Sequence, residues 1–171
     1  LTINNTYFII FGMNEEKPWY EKVVMPALLR HARNTYGLAM RQALDAAGYD
    51  DLPKNGLYVI GGLALGAGEI PLGQLIEELR VSKQAAGQLV DTLVLRGYLE
   101  RTVDATDRRK LTVTLTERGR AAAATQAAAR EKVDEALLAR VGLDNVQHTR
   151  RTLAALIDLG HQREGEPDDE H

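Results

Sequence analysis

The chain has 171 residues, 44% hydrophobic and 26% charged, with no cysteine, one Trp and two Phe. That length is enough to bury a core, the absence of Cys excludes disulfide scaffolds, thiolate metal sites and cysteine nucleophiles, and no stretch approaches the ~20 consecutive apolar residues of a membrane-spanning helix. A formal charge of −3 argues at face value against nucleic acid, but residues 80–120 hold nine basic and five acidic side chains, +4, which leaves −7 for the remainder.

Residues 1–12 are β-branched, aromatic and uncharged. They lack the basic start and long apolar run of a signal peptide and read as a non-native or disordered extension ahead of Met13. The alternative is a strand or arm packing on a partner subunit. Pro18 and Pro26 suit first helical turns, where a missing N–H costs nothing. From Pro26, the apolar positions Leu29, Ala32, Tyr36, Ala39, Met40, Ala43 and Ala47 recur at steps of three and four. They predict a helix with one buried stripe, stopped at Gly48. Residues 51–56 carry turn chemistry. Leu57 to Leu65 reads as a short apolar helix despite its Gly61-Gly62 pair, followed by a loop at Gly66-Ala67-Gly68. Pro71 opens a short helix to Arg80, with Leu72, Leu75, Ile76 and Leu79 inward.

Ser82 is a good N-cap, since its hydroxyl can accept from an orphan N–H two or three residues on. The helix it starts runs to about Arg96, with Gly97 at the left-handed position beyond. Its core stripe is Ala85, Leu89 and Leu93, with Val90 and Val94. The period then changes to two. Leu111, Val113 and Leu115 alternate with threonines as a one-faced strand, Tyr98–Val103 is its partner, and residues 104–108 form a polar hairpin tip. Thr116 caps a long alanine-rich helix that ends near Gly142. Asp144 and Gln147 open a last helix with Val146, Leu153, Leu156 and Ile157 buried. The acidic end of the chain, with five acids and a proline after Arg163, reads as disordered.

Short helix, turn, capped helix and hairpin with a basic tip make a helix-turn-helix followed by a β-wing. Lys83, Gln84, Gly87 and Gln88 share the face away from Ala85, Leu89 and Leu93. Gln can bond adenine in a bidentate way, Lys can reach guanine or a phosphate, and Ala86 can touch a thymine methyl. Gly87 in mid-helix costs roughly 1 kcal/mol against Ala, which fits a close approach to something. At the hairpin tip stand Arg108, Arg109 and Lys110, and a narrow A·T-rich minor groove attracts inserted arginine. Asp107 beside them opposes phosphate unless it orients an arginine. A solvated charged surface is the alternative at each of these places. There is no nucleophile elbow, phosphate loop or metal motif, so the chain is read as no enzyme, with no cofactor and no metal.

Four segments in order carry a resemblance: Val81 to Leu93, Arg96-Gly97-Tyr98-Leu99-Glu100-Arg101, Asp104 to Arg109, and Leu111 to Gly119. Over about residues 70–120 the chain resembles the MarR family of bacterial transcriptional regulators. The resemblance implies a mainly α fold with a small β-wing: a winged helix-turn-helix lobe (49–120) between dimerisation helices at 13–48 and 121–160, with a tail at 161–171. It implies a cytoplasmic homodimer, off the membrane, that represses from a palindromic double-stranded DNA operator. Recognition helix 82–96 would enter the major groove through Ser82, Lys83, Gln84, Ala86, Gly87 and Gln88, and wing 99–116 the minor groove. There Arg109 would insert, oriented by Asp107, with Arg108 near phosphate and Lys110 a further wing contact. Half-sites would lie about one helical turn apart. A small lipophilic or phenolic effector between the lobes would release DNA, with His31, Tyr36 and Tyr58 as candidate polar groups; a satisfied core role is the alternative for each. With no Cys the chain departs from peroxide-sensing members, and His31, His148, His161 and His171 lack the ligand spacing of zinc-responsive ones. The Ala85-Ala86-Gly87 run makes the recognition face plain, so DNA shape should carry more of the reading than base contacts. The competing function is a winged-helix architectural or protein-interaction module without operator choice.

Overall fold

The computed structural model describes residues 18–103 and 111–164. The expectations for residues 1–12, for Asp107, Arg108, Arg109 and Lys110, and for the end of the tail lie outside the described residues. A single 3-10 turn, Trp19–Lys22, precedes helix α1, Met25–Ala46, which has Pro26 in its first turn. Of the predicted stripe Met40 alone is buried and Leu29, Tyr36, Ala39 and Ala43 are half-buried, while Leu44, outside that stripe, is fully buried. Ala32 and Ala47 are exposed, because the core lies under one end of the helix. After Ala46 the chain reverses at Gly48, whose φ of +81° favours glycine, and the Tyr49 N–H donates to the Leu44 carbonyl at 2.9 Å.

Helix α2, Gly56–Leu65, is almost wholly apolar and buries Leu57, Val59, Ile60, Gly61 and Leu63. Gly61 belongs there because the Gln126 amide occupies the space a Cβ would need. Strand β1, Glu69–Pro71, falls where a loop and helix start were expected. It adds a third strand to the predicted hairpin. Helix α3, Leu72–Glu78, is followed by a turn in which Arg80 takes a φ of +48°, a conformation that costs a non-glycine residue about 1–2 kcal/mol. Helix α4 is Lys83–Leu95. Strands β2, Leu99–Val103, and β3, Leu111–Leu115, complete an antiparallel sheet in the order β1-β3-β2.

Helix α5, Glu117–Val141, starts at Thr116, whose hydroxyl accepts from the Gly119 N–H, and stops at Gly142. Helix α6, Leu143–Glu164, runs four residues into the segment read as a tail. Both α1 and α2 pack on α5. The core gathers Leu44, Ile60, Val90, Leu93, Tyr98, Leu99 and Val113, and so joins the wing and helix-turn-helix to the lower part of α5. The buried face assigned to α6 does not form among the described residues: Leu156 is 46% and Ile157 58% exposed. The architecture is mainly α with a small sheet, a winged helix carried on long helices.

Candidate nucleic-acid interface

Helix α4 is held at both ends. At its start the Ser82 hydroxyl accepts from the Ala85 N–H at 3.2 Å. At its end Gly97 turns the chain with a φ of +72°, and the Tyr98 N–H donates to the Leu93 carbonyl at 2.9 Å. The side packed on α3 and β2 consists of Ala86, Val90 and Leu93, all fully buried. That corrects the predicted phase. Ala86, assigned to a base edge, is in the core, and Ala85, assigned to the core, is exposed. A helix beginning at Lys83 puts positions 86, 90 and 93 on one stripe, and residue 85 lies about 100° round from 86.

The remaining recognition residues stand where a groove could meet them. Ser82, Lys83, Gln84 and Gln88 are exposed and Gly87 is half-buried. A Cβ at Gly87 would meet nothing within 4 Å, so no described neighbour requires the glycine, and the demand for a small residue comes from outside the chain or not at all. Further along the same face Asp91 accepts from the Arg101 guanidinium. This bond fastens the wing strand β2 to α4. Leu95, the last residue of α4, is 87% exposed.

The wing is defined by the pairing of β2 with β3, from Leu99 opposite Leu115 to Val103 opposite Leu111. The sheet leaves the core as it projects. Val113 and Leu115 are buried, whereas Leu111 and Val103 are exposed, so the buried part of the apolar face predicted for β3 ends at Val113. Beyond that pair the chain continues into residues 104–110, which carry the basic cluster.

Internal bonding changes what the +4 window means. Arg101 is paired with Asp91, Arg118 with Asp51 at 2.8 Å, Arg96 donates to the Asp51 carbonyl, and Arg120 donates to the Leu115 carbonyl at 2.6 Å. Four of the nine basic side chains therefore serve the fold. Lys83 stands exposed on α4, and residues 108–110 lie outside the described residues.

The three residues nominated for an effector do not meet at one point. Tyr36 donates to the Asp134 carboxylate at 2.5 Å and so ties α1 to α5; burial, then that bond, push its phenol up to about 12. Tyr58 lies under the Arg33 guanidinium, 4.6 Å from its ring centroid, and lines an open groove of about 780 Å³ with Arg33, Arg41 and Lys54. His31 is half-buried on α1, on the turn before Tyr36. Sequence reasoning missed a different place. A cleft of about 460 Å³ between α2 and α5 is lined by Gly61, Ala64, Leu65, Ala123, Gln126 and Arg130. Gln126 is buried, and its Oε1 has no hydrogen-bond partner among the described residues. A glutamine inside an alanine-rich helix was the available signal. No helix among the described residues is long and apolar enough to cross a membrane.

Residues 51–110 match the family model described as MarR family. No curated protein matches the chain. Among solved structures, Streptococcus pneumoniae FabT in complex with DNA is 17% identical, covering 84% of this chain and 98% of its own at a TM-score of 0.70. A MarR transcriptional regulator from Methanosarcina mazei Go1 is 18% identical, with 81% and 96% covered and a TM-score of 0.67. S. aureus MepR in its DNA-binding conformation is 15% identical, with 80% and 98% covered and a TM-score of 0.65. These likenesses extend over the long helices as well as the winged lobe, and at such identities they establish the fold.

Proposed function

We propose that this chain, which carries the MarR family's winged helix at residues 51–110, is a homodimeric transcriptional regulator. It represses from a palindromic operator, with helix 82–96 in the major groove and wing 99–116 in the minor groove. The observation that carries the reading is the division of α4: Ala86, Val90 and Leu93 anchor one stripe in the core, while Lys83, Gln84 and Gln88 stand in solvent on the other. Between the wing strands β2 and β3 the sequence carries Arg108, Arg109 and Lys110. Gln84 and Gln88 offer paired donors and acceptors to adenine, Lys83 a donor to guanine or phosphate, and Arg109 a charge suited to a narrow minor groove, steadied by Asp107. The DNA complex of S. pneumoniae FabT and the DNA-binding conformation of S. aureus MepR support this assignment.

Dimerisation is supported by the apolar surface one chain leaves open. Trp19, Val24 and Met25 near α1 and Leu143, Leu156, Ile157 and Leu159 on α6 are all exposed. A helix as long as α6 draws most of its stability from a packed face, and a second copy of the same helices supplies one. Two-fold symmetry then sets half-sites about one helical turn, ~10 bp, apart. For the signal, a small lipophilic or phenolic molecule in the cleft between α2 and α5 is supported by the Gln126 acceptor, which has no partner among the described residues, and by Arg130 in the lining. Occupying that cleft separates the winged lobe from the long helix that carries it.

Selection of duplexes from a random pool by the purified protein tests the reading. Enrichment of a two-fold symmetric sequence is the expected result. Uniform recovery of unrelated duplexes would favour the architectural module instead.

A further inference from the structure

The end of the recognition helix and the start of α5 meet the α1–α2 loop at a polar joint outside the reading surface. The Asp51 carboxylate accepts from the Tyr98 hydroxyl and from Arg118 Nη2 at 2.8 Å. Arg118 Nη1 donates to the Arg96 carbonyl at 2.8 Å, and its guanidinium lies 4.5 Å from the centroid of the Tyr98 ring. Arg96 closes the circuit by donating to the backbone carbonyl of Asp51. From the other side the Thr116 hydroxyl donates to the Gly97 carbonyl at 2.6 Å. The last residues of α4 are thus gripped by the 51 loop and by the first turn of α5, with the Tyr98 ring, fully buried, as the block between them.

Such a joint has leverage. Helix α4 has 13 residues and is therefore about 20 Å long. A tilt of roughly 10° about its C-terminal end moves Lys83 and Gln84 by about 3.4 Å, the rise of one base pair. The guanidinium of Arg118 makes three directed bonds, the third from Nη2 to the Tyr98 hydroxyl at 3.2 Å, and a stacking contact at once, which a planar fork does and an ammonium does not. We propose that Asp51, Tyr98 and Arg118 are positioning residues for DNA reading: they fix the angle of the recognition helix to α5, and through α5 the spacing of the two recognition helices in the dimer. The proposal rests on the dimeric, operator-binding reading above.

The test uses the full chain, Tyr98→Phe, which keeps the buried ring and removes only the hydroxyl, and Arg118→Lys, which keeps the charge and removes the fork. Because the chain has no cysteine, Gln84→Cys gives one spin label per protomer at the far end of the lever. In the wild-type background the label-to-label distance should be a single narrow population. In Tyr98→Phe and Arg118→Lys it should broaden or shift by about 3 Å or more, with folding and dimerisation retained by circular dichroism and size exclusion. In unlabelled protein, affinity for the selected operator should fall about tenfold, the scale of one misplaced base contact. Affinity for scrambled duplex should stay within about twofold, and the preference for the native half-site spacing over one changed by a base pair should weaken. Unchanged distances with unchanged operator affinity and spacing preference overturn the joint. A wild-type chain giving no inter-label distance, or selecting no operator, overturns the dimeric reading itself, and the joint's role in spacing falls with it.

Discussion

Gly119 sits at the contact between the wing and the long helix, and its replacement by alanine separates tertiary fit from helix propensity. Alanine in the first turn of α5 should gain up to about 1 kcal/mol from propensity alone. At Gly119, however, the new Cβ falls well inside contact of the Tyr98 carbonyl oxygen and 3.1 Å from both the Tyr98 carbonyl carbon and Leu115 Cδ2. The obstacle is backbone, so the first turn of α5 has to retreat by on the order of 1 Å to restore ordinary contact. That retreat strains the bonds made across the same gap, Thr116 N–H to the Tyr98 carbonyl at 3.1 Å and Thr116 Oγ1 to the Gly97 carbonyl at 2.6 Å. Overpacking costs about 1–3 kcal/mol and two hydrogen bonds about 1 kcal/mol each. Set against the propensity gain, Gly119→Ala should destabilise by roughly 2–4 kcal/mol, a fall in Tm of about 5–15 °C for a chain of this size. Thermal unfolding followed by circular dichroism measures it, with Gly62→Ala as the control. That glycine also lies within a helix but has nothing within 4 Å of a Cβ, so it should raise Tm by a few degrees. A Gly119→Ala Tm equal to or above the parent's would refute the close-contact reasoning.

Gly87→Ala should also raise Tm, by up to about 1 kcal/mol of stability, because nothing fills the space. If the backbone of α4 approaches DNA there, the same variant loses operator affinity in an anisotropy titration, and equal affinity shows that it does not. Asp107→Ala should weaken operator binding although it removes a negative charge, and a measured gain would end the orienting role given to that carboxylate. Ile157→Asp, which places a charge on the open face of α6, should yield monomers by light scattering; an unchanged dimer mass puts the interface elsewhere. The phenols of Tyr36 and Tyr98 are pushed up to about 12, chiefly by burial, so between pH 10 and 12 the folded chain retains protons that the unfolded chain releases. Stability is full below pH 10 and falls through that window. The Tyr36→Phe/Tyr98→Phe double variant should have a shallower decline of Tm there, and an identical decline would assign the loss to lysines.

Legibility in the sequence followed locality. The caps at Ser82 and Thr116 and the stop at Gly97 were readable because each is decided within four residues. The phase of α4 was not, since alanine fits core or surface and only packing against β2 and α3 chose Ala86 over Ala85. Strand β1 escaped notice because three residues ending in proline cannot display alternation; its partner, Thr112 to Thr114, supplies the pattern from more than forty positions away. The same distance hid the roles of the arginines. Arg118 looks in sequence like part of a basic reading head, and only the fold brings Asp51 to it. The apolar stripe on α6 was legible as a pattern, but its burial was not, since no described part of the chain covers Leu156 and Ile157.

On the proposed function, this protein tells one DNA sequence from another. The direct measurement is the ratio of affinities for the selected duplex and a scrambled duplex of equal length at one salt concentration near physiological. A specific regulator should give a ratio of about 10³ or more, falling sharply for Arg109→Ala if the plain recognition face leaves DNA shape to carry the choice. A ratio near one, with steep salt dependence for both duplexes, would contradict the account and leave a basic winged helix that binds without choosing.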